Sequence, residues 1–428
     1  MLSALMIAHE PDFFYGMELI MSGIQPLPRP VVPPQTFADA NEMVRTLRPD
    51  DPVICLRSHV LRETAENFRN HFPGRVLYAV KCNHEASFLE PLHAGGIVDF
   101  DTASIGEIRK VRELFGRGVG SFFMHPVKAR SAIYEAYYTH GVRTFVLDHM
   151  DELTKIRQET GGATDTMLMV RLATARGAAV YDLGGKFGAT VDEAAELLRE
   201  IDRLGHKTGI AFHVGSQCME PLAFARALEL TDEVLKKAGG VKPAVVDVGG
   251  GFPVAYMGLD PVPFADYAKA IKQAFDSYDW SKEAELWCEP GRGLVASGAS
   301  LVVRVKMRRG NSLYLNDGMY GGLSDLRFEG LTPAMRCLRL DADPVRGWTP
   351  FRFYGPTCDS CDVMEGPFYL PEDIAEGDWI EIGQAGAYTM ALRTEFNGFH
   401  KTKVVRVREG VWENADTGPL TLPIQAAE

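Results

Sequence analysis

The stretch RVLYAVKCN, residues 75–83, decides how the rest of the chain is read. Apolar and aromatic residues run straight into Lys81 with no turn residue between them. An ammonium is costly to desolvate, so lysine is among the residues least often buried. Either the strand ends in solvent at Lys81, or the amine stands where chemistry needs it. The residues that follow separate the two readings.

Short apolar, β-branched runs recur at 97–100, 122–124, 144–147, 167–172, 210–214, 245–248 and 286–288. Between them lie stretches with helical spacing and charged faces, clearest at 61–72, 105–115, 191–204 and 264–275. With the opening run this makes eight strands alternating with helices over roughly 240 residues, the pattern of a (β/α)8 barrel. No dinucleotide fingerprint follows the first strand, which disfavours an open doubly wound sheet. Beyond residue 298 the helical pattern stops, and runs at 300–309, 313–316, 351–354, 378–382 and 403–408 read as strands between Gly, Pro and Asp turns. The expected organisation is a proline-rich arm over 1–52, a barrel over 53–298 and a mostly β domain over 299–428. The arm is expected to pack with the β domain.

In such a barrel the chemistry sits at the C-terminal ends of the strands. Those ends carry Lys81, Asp101, His125, Asp148, Arg171, His213, the glycines 249–251 and Glu289. One charged residue at a strand end is ordinary solvation; a whole mouth of them is not. Gly250 and Gly251 let backbone N–H groups approach an anion such as phosphate, and Gly291 with Arg292 could add a second donor set. Three glycines can equally be a tight turn. A lysine that sheds its proton can form a Schiff base. A carboxylate such as Glu289 can hold a pyridinium protonated, and His213 can stack on a flat ring. Aldehyde, pyridine nitrogen and phosphate together describe pyridoxal 5′-phosphate.

The ordered segments YAVKCN (78–83), FHVGSQ (212–217), DVGGGFP (247–253), EPGR (289–292), GPTCD (355–359), GAYT (386–389) and FNGF (396–399) resemble the fold-type III pyridoxal-phosphate decarboxylases. This is the ornithine/diaminopimelate/arginine decarboxylase group, and the likeness runs from about residue 53 to 400. It implies an alanine-racemase-like barrel with Lys81 bonded to the cofactor and Glu289 on its ring nitrogen. His213 would stack on the ring, and Asp101 and Arg171 would shape the pocket. Ser216, Gly250, Gly251, Arg292 and Tyr388 would take the phosphate. Family members are head-to-tail dimers with shared sites, so Cys358 would return a proton in the partner's pocket and Asp359 would meet the substrate's distal amine. Lys186 would pair with Asp362 across the dimer.

Cys358 and Cys361 could instead form half of a zinc site or a redox pair. No second ligand pair lies nearby and no βαβ pattern precedes them, so no metal is expected. NDGMYG (316–321) and FNGF resemble the ornithine/lysine/arginine branch, with Tyr320 and Phe396 near the substrate. The serine in CDSCD is reminiscent of the diaminopimelate type. Glu329 stands where ornithine decarboxylases usually carry an aspartate, which keeps a cationic substrate while altering the length or head group accepted. Ornithine or lysine is expected ahead of arginine, with diaminobutyrate and diaminopimelate as alternatives. Racemisation and an inactive regulatory homologue are the rival functions; intact Lys81, Glu289 and Cys358 argue against the latter.

Composition bounds the rest. A net charge of −12 argues against nucleic acid or an anionic membrane as the main partner. Seven irregularly spaced cysteines suit reduced thiols better than a disulfide framework. No basic region precedes the short apolar start and no run is long enough to span a bilayer, so a soluble cytoplasmic protein is expected.

Overall fold

The computed structural model describes residues 34–174, 179–181, 185–327, 330–341, 344 and 347–410. Strands Arg75–Ala79, Asp99–Thr102, Gly120–Phe123, Thr144–Leu147, Met167–Arg171, Lys207–Ala211, Val245–Asp247 and Glu285–Cys288 form a closed barrel. The last pairs in parallel with the first, Trp287 opposite Arg75 and Cys288 opposite Val76. All eight runs anticipated from the sequence are strands of this ring.

Side chains alternate across a strand, so each barrel strand divides its residues between an inner and an outer face. The inward set, Leu77, Phe122, Met124, Val146, Met169, Ala211, Val245 and Trp287, is a separate apolar cluster that plugs the barrel. The outward set, including Tyr78, Leu168, Val170, Val246 and Cys288, merges with the surrounding helices into the main core. Two residues beyond the plug on their strands stand Arg171, His213, Asp247 and Glu289, in the same inward register. An ionisable layer therefore lies directly on an apolar floor.

The helices Ser58–His71, Ile105–Phe115, Val191–Arg203 and Phe264–Phe275 lie where the spacing predicts them. Thr190 and Glu193 close a capping box that fixes the start of the third. Helix Ala86–Ala94 carries Pro91 in its interior, which obscures it in sequence.

A second sheet contains nine strands among the described residues, centred on the long strand Ala299–Arg309. One placement corrects the sequence reading. Val53–Leu56, anticipated as the start of the barrel domain, pairs antiparallel with Ala299–Arg309 and in parallel with Lys403–Val407. The barrel ring begins only at Arg75. VICL is buried along its whole length, so periodicity alone could not tell which sheet would cover it. Upstream of it, Thr36–Phe37 pairs with Lys403–Val407, and helix Ala40–Leu47 packs Met43 and Val44 with Val302, Val405 and Trp379. No helix among the described residues is long and apolar enough to cross a membrane.

Candidate active site

After Ala79 the chain turns through a single 3-10 turn, Val80–Cys82, and Lys81 leaves the barrel axis region at its mouth. Three hydrogen bonds hold this turn. Tyr78 Oη donates to the Asn83 carbonyl at 2.9 Å, Asn83 Nδ2 donates to the Gly386 carbonyl at 2.9 Å, and the Tyr388 N–H donates to the Cys82 carbonyl at 3.0 Å. Val80 and Cys82 are fully buried, yet the Lys81 side chain remains 42% exposed. Its Nζ stands 3.5 Å from Asp101 Oδ2, and that carboxylate raises the lysine's pKa. The apolar run thus anchors a rigid turn and does not simply run out into water.

Two further carboxyls share the layer. Glu289 is buried, and its Oε1 has no hydrogen-bond partner. Burial, then the neighbouring Asp101 and Asp247, push its pKa well up. Asp247 accepts the Gly249 N–H on Oδ1 at 2.8 Å, while Oδ2 is buried without a partner; burial lifts this group to about 7. Sequence reasoning passed over Asp247 as part of a glycine loop, although its inward register, two residues past Val245, marks it.

His213 accepts the Gly215 N–H on Nδ1 at 3.0 Å, and burial with the nearby Arg171 and Lys81 charges pushes its pKa well down. A neutral ring accepting on Nδ1 carries its proton on Nε2. The glycine loop lies against this imidazole: a Cβ at Gly250 would fall 3.1 Å from His213 Nε2 and 2.6 Å from the Glu289 carbonyl. Gly251 adopts φ +103, and a Cβ there would meet the Gly215 carbonyl oxygen at 2.3 Å. Ser216 opens the facing strand Ser216–Cys218. Hydrogen bonds from the Gly250 and Gly251 N–H groups to described residues are absent, which leaves both free to meet an anion.

Gly291 backs onto Cys82 and Ala79, and Arg292 opens a short helical turn behind it. The Arg292 guanidinium donates to Tyr256 Oη and Asp325 Oδ2, each at 2.7 Å, while its Nε is buried without a partner. Tyr388 lies 5.0 Å from the Arg292 guanidinium carbon and adopts φ +54, which non-glycine residues rarely do. Asp325 was not singled out from the sequence; nothing in local pattern shows that it meets an arginine 33 positions away.

His125 and Asp148 do a different job from the other strand ends. Asp148 Oδ2 accepts the Gly188 N–H at 2.9 Å, and His125 packs edge-on to Phe187 at 5.1 Å. They hold the loop carrying Lys186, whose ammonium lies 4.9 Å from the Phe187 ring centre.

Cys358, Asp359, Tyr320 and Phe396 form a second group. Asn397 Oδ1 accepts the Cys358 N–H at 3.0 Å, Tyr320 Oη donates to Asp359, and the Tyr320 and Phe396 rings are 5.0 Å apart. Both Cys358 and Cys361 are exposed free thiols. Among the described residues no hydrogen bond or ion pair joins this group to the Lys81 cluster. Asp362 is enclosed within its own chain, accepting from the Met319 N–H, the Thr357 N–H and the Thr357 hydroxyl at 2.8, 3.1 and 2.7 Å. Glu329 lies outside the described residues.

The donor set of the mouth fits pyridoxal 5′-phosphate: an amine for the aldehyde, a buried carboxylate oxygen awaiting an N–H, a neutral imidazole, and a glycine loop with free amides. Barrel and mouth together define a pyridoxal-phosphate enzyme. The chain belongs to the pyridoxal-dependent decarboxylases, whose pyridoxal-binding domain matches residues 58–296. It is similar to the lysine/ornithine decarboxylase of Selenomonas ruminantium, with 33% identity over 377 residues covering 86% of this chain and 92% of that protein. Among solved structures, the Paramecium bursaria Chlorella virus arginine decarboxylase bound to agmatine matches with a TM-score of 0.77 at 29% identity, covering 86% of this chain and 99% of that one. The Vibrio vulnificus lysine/ornithine decarboxylase complexed with putrescine matches with a TM-score of 0.73 at 27% identity, over 87% and 99%.

Proposed function

We propose that this chain decarboxylates a basic L-amino acid, ornithine or lysine ahead of arginine, to the corresponding diamine for polyamine synthesis. The observation that carries the chemistry is the unpartnered, buried Oε1 of Glu289 in the same layer as Lys81. The substrate class is supported by what the relatives named above act on or bind. When bound, pyridoxal 5′-phosphate supplies an aldehyde for the substrate's amine and a protonated ring that accepts the electrons left as CO2 departs.

The chain's own residues supply the rest. Lys81 presents its amine from a turn locked at three points, and Asp101 holds it in place. Glu289 would accept the cofactor's ring N–H, and the neutral His213 would hold the ring without adding charge. Ser216, Gly250, Gly251, Gly291, Arg292 and Tyr388 would hold the phosphate end, and Arg171 would complete the wall. A homodimer with shared sites belongs to this reading: Cys358 returns a proton, Asp359 and Glu329 meet the distal cation, and Tyr320 and Phe396 flank it. Exposed Phe396 and Phe399, on either side of the Asn397 that bonds Cys358, support burial against a second copy. Asp362, held within its own chain, gives no support to a pairing with Lys186. A cytoplasmic setting is supported by seven free cysteines.

CO2 release measured over ornithine, lysine, arginine, diaminobutyrate and diaminopimelate tests the reaction. Turnover of ornithine or lysine is expected; turnover of diaminopimelate alone would overturn the substrate class. Mixing Lys81→Ala with Cys358→Ala protein tests the shared site. Only one site of each heterodimer carries both intact residues, so about a quarter of wild-type activity should return. No recovery despite demonstrated subunit exchange would sink the shared site.

A further inference from the structure

The two loops that meet at the glycine-rich side of the mouth are joined by one side chain. Gln217 is fully buried, and its amide grips both polar groups of a single backbone unit. Its Nε2 donates to the Val254 carbonyl at 2.6 Å, and its Oε1 accepts the Val254 N–H at 2.9 Å. Val254 lies three residues beyond Gly251, at the exit of the glycine loop. The next residue, Cys218, donates its N–H to the Gly251 carbonyl at 2.8 Å. Gln217 itself adopts φ +60, the left-handed region where a glycine would sit without strain. A non-glycine residue held in that conformation has to be retained by its surroundings, and these two bonds are its side-chain hydrogen bonds among the described residues.

We propose that Gln217 is a positioning residue that holds the 249–251 loop in the shape its amides need to take a phosphate ester. The inference rests on the proposed reading of that loop as the phosphate cradle. Gln217 acts through Val254 and does not touch the cofactor. Without the clamp, the loop keeps its contacts to Phe212 and Glu289 and the Cys218 bond to Gly251, but loses the tie at Val254 that fixes its exit. The free amides of Gly250 and Gly251 then lose their common direction. The phosphate end of the cofactor should register the change most, because Lys81 and Glu289 belong to other strands and His213 is fixed by its own bond to the Gly215 N–H.

The test compares pyridoxal 5′-phosphate with pyridoxal, which lacks the phosphate, by titrating each into cofactor-free protein and following absorbance or fluorescence. Wild-type protein is expected to bind the phosphate ester more tightly. In Gln217→Ala the ratio of the two affinities should fall about tenfold, as two buried hydrogen bonds are lost, with pyridoxal affinity nearly unchanged. Gln217→Gly relieves the positive φ while deleting the same clamp, so it should fold at least as well and show the same fall. Equal weakening of both ligands, or an unchanged ratio in the glycine variant, would overturn the role of Gln217. A wild-type protein that does not discriminate between the two ligands would overturn the cradle itself, and the proposal with it.

Discussion

Among the described residues the Asp247 carboxyl takes its one hydrogen bond from the glycine loop it precedes, and burial keeps its proton to about pH 7. An unfolded aspartic acid gives up that proton near pH 4. Between those values the folded, cofactor-free protein binds a proton that the unfolded chain has released, so stability falls as pH rises through the window. The slope contributed by one such group is at most about 1.4 kcal/mol per pH unit. Urea unfolding of cofactor-free protein at several pH values between about 4 and 7 should show this decline, and Asp247→Asn should flatten it. Glu289 is pushed the same way, so the slope is reduced and not abolished. A wild-type profile that is flat across the window would contradict the protonated carboxyl. Glu289→Gln tests a different property of the same layer. It should still fold and bind cofactor, since Lys81 and the glycine loop are untouched. Its turnover should drop by about 100-fold or more for want of a charge to hold the ring protonated. Glu289 was legible in the sequence because strand geometry places every second side chain inward, whereas Asp247, in the same register, was passed over as part of the glycine loop. Once the eight strands are counted, the last inward positions form a list. Gln217 and Asn83 were not legible as clamps, because each bonds to backbone far along the chain, 37 and 303 residues away.

At the scale of elements, the segment 385–389 docks the second domain onto the turn that carries Lys81. The Gly386 N–H donates to the Ala296 carbonyl at 3.0 Å, and a Cβ at Gly386 would lie 1.7 Å from the Val295 carbonyl oxygen. No side chain can be admitted there without moving backbone. Gly386→Ala should therefore lower stability by about 2–3 kcal/mol and also impair cofactor binding, because Asn83 and Tyr388 lose their register with the Lys81 turn. Thermal unfolding and cofactor titration of one sample check both effects; a variant that keeps wild-type cofactor affinity would show the docking to be unimportant to Lys81. Element types were read well where a pattern repeated, as in the eight barrel strands. They were missed where a local breaker masked a tertiary role. Val363–Pro371 contains Gly366 and Pro367 yet is a nine-residue strand, tolerated because it ends the sheet and needs a partner on one side only.

Across the whole molecule, the two ends of the described chain meet in a buried charge network. Arg57, 2% exposed, donates to Glu381 at 3.1 Å and to Glu409 at 2.8 Å, and Arg336 donates to Glu381 at 2.7 Å. Glu381 is fully buried beneath both guanidiniums. Glu381→Ala removes the buried one of two carboxylates that these arginines share, leaving them Glu409, and should cost about 3 kcal/mol. The active-site layer is left intact, so the loss should appear in denaturant unfolding and leave the cofactor absorbance of the folded protein unchanged. A shift below about 1 kcal/mol would mean that water or other groups replace the carboxylate.

The same closure has a consequence for how the protein is made. Strand Val53–Leu56 is made long before its parallel neighbour, Lys403–Val407. Arg57 likewise waits for the carbonyl of Gly410, 353 residues later. At ribosomal speeds of about 5–20 residues per second, that wait lasts roughly 20–70 s. The barrel and the antiparallel neighbour Ala299–Arg309 are made within that wait, but until its end a wholly apolar strand keeps at least one edge unpaired, a template for wrong partners. The nascent chain is therefore most prone to aggregate in the interval before Lys403–Val407 is made. Shielding that one strand until release, as by a chaperone during recombinant expression, should raise the yield of soluble protein.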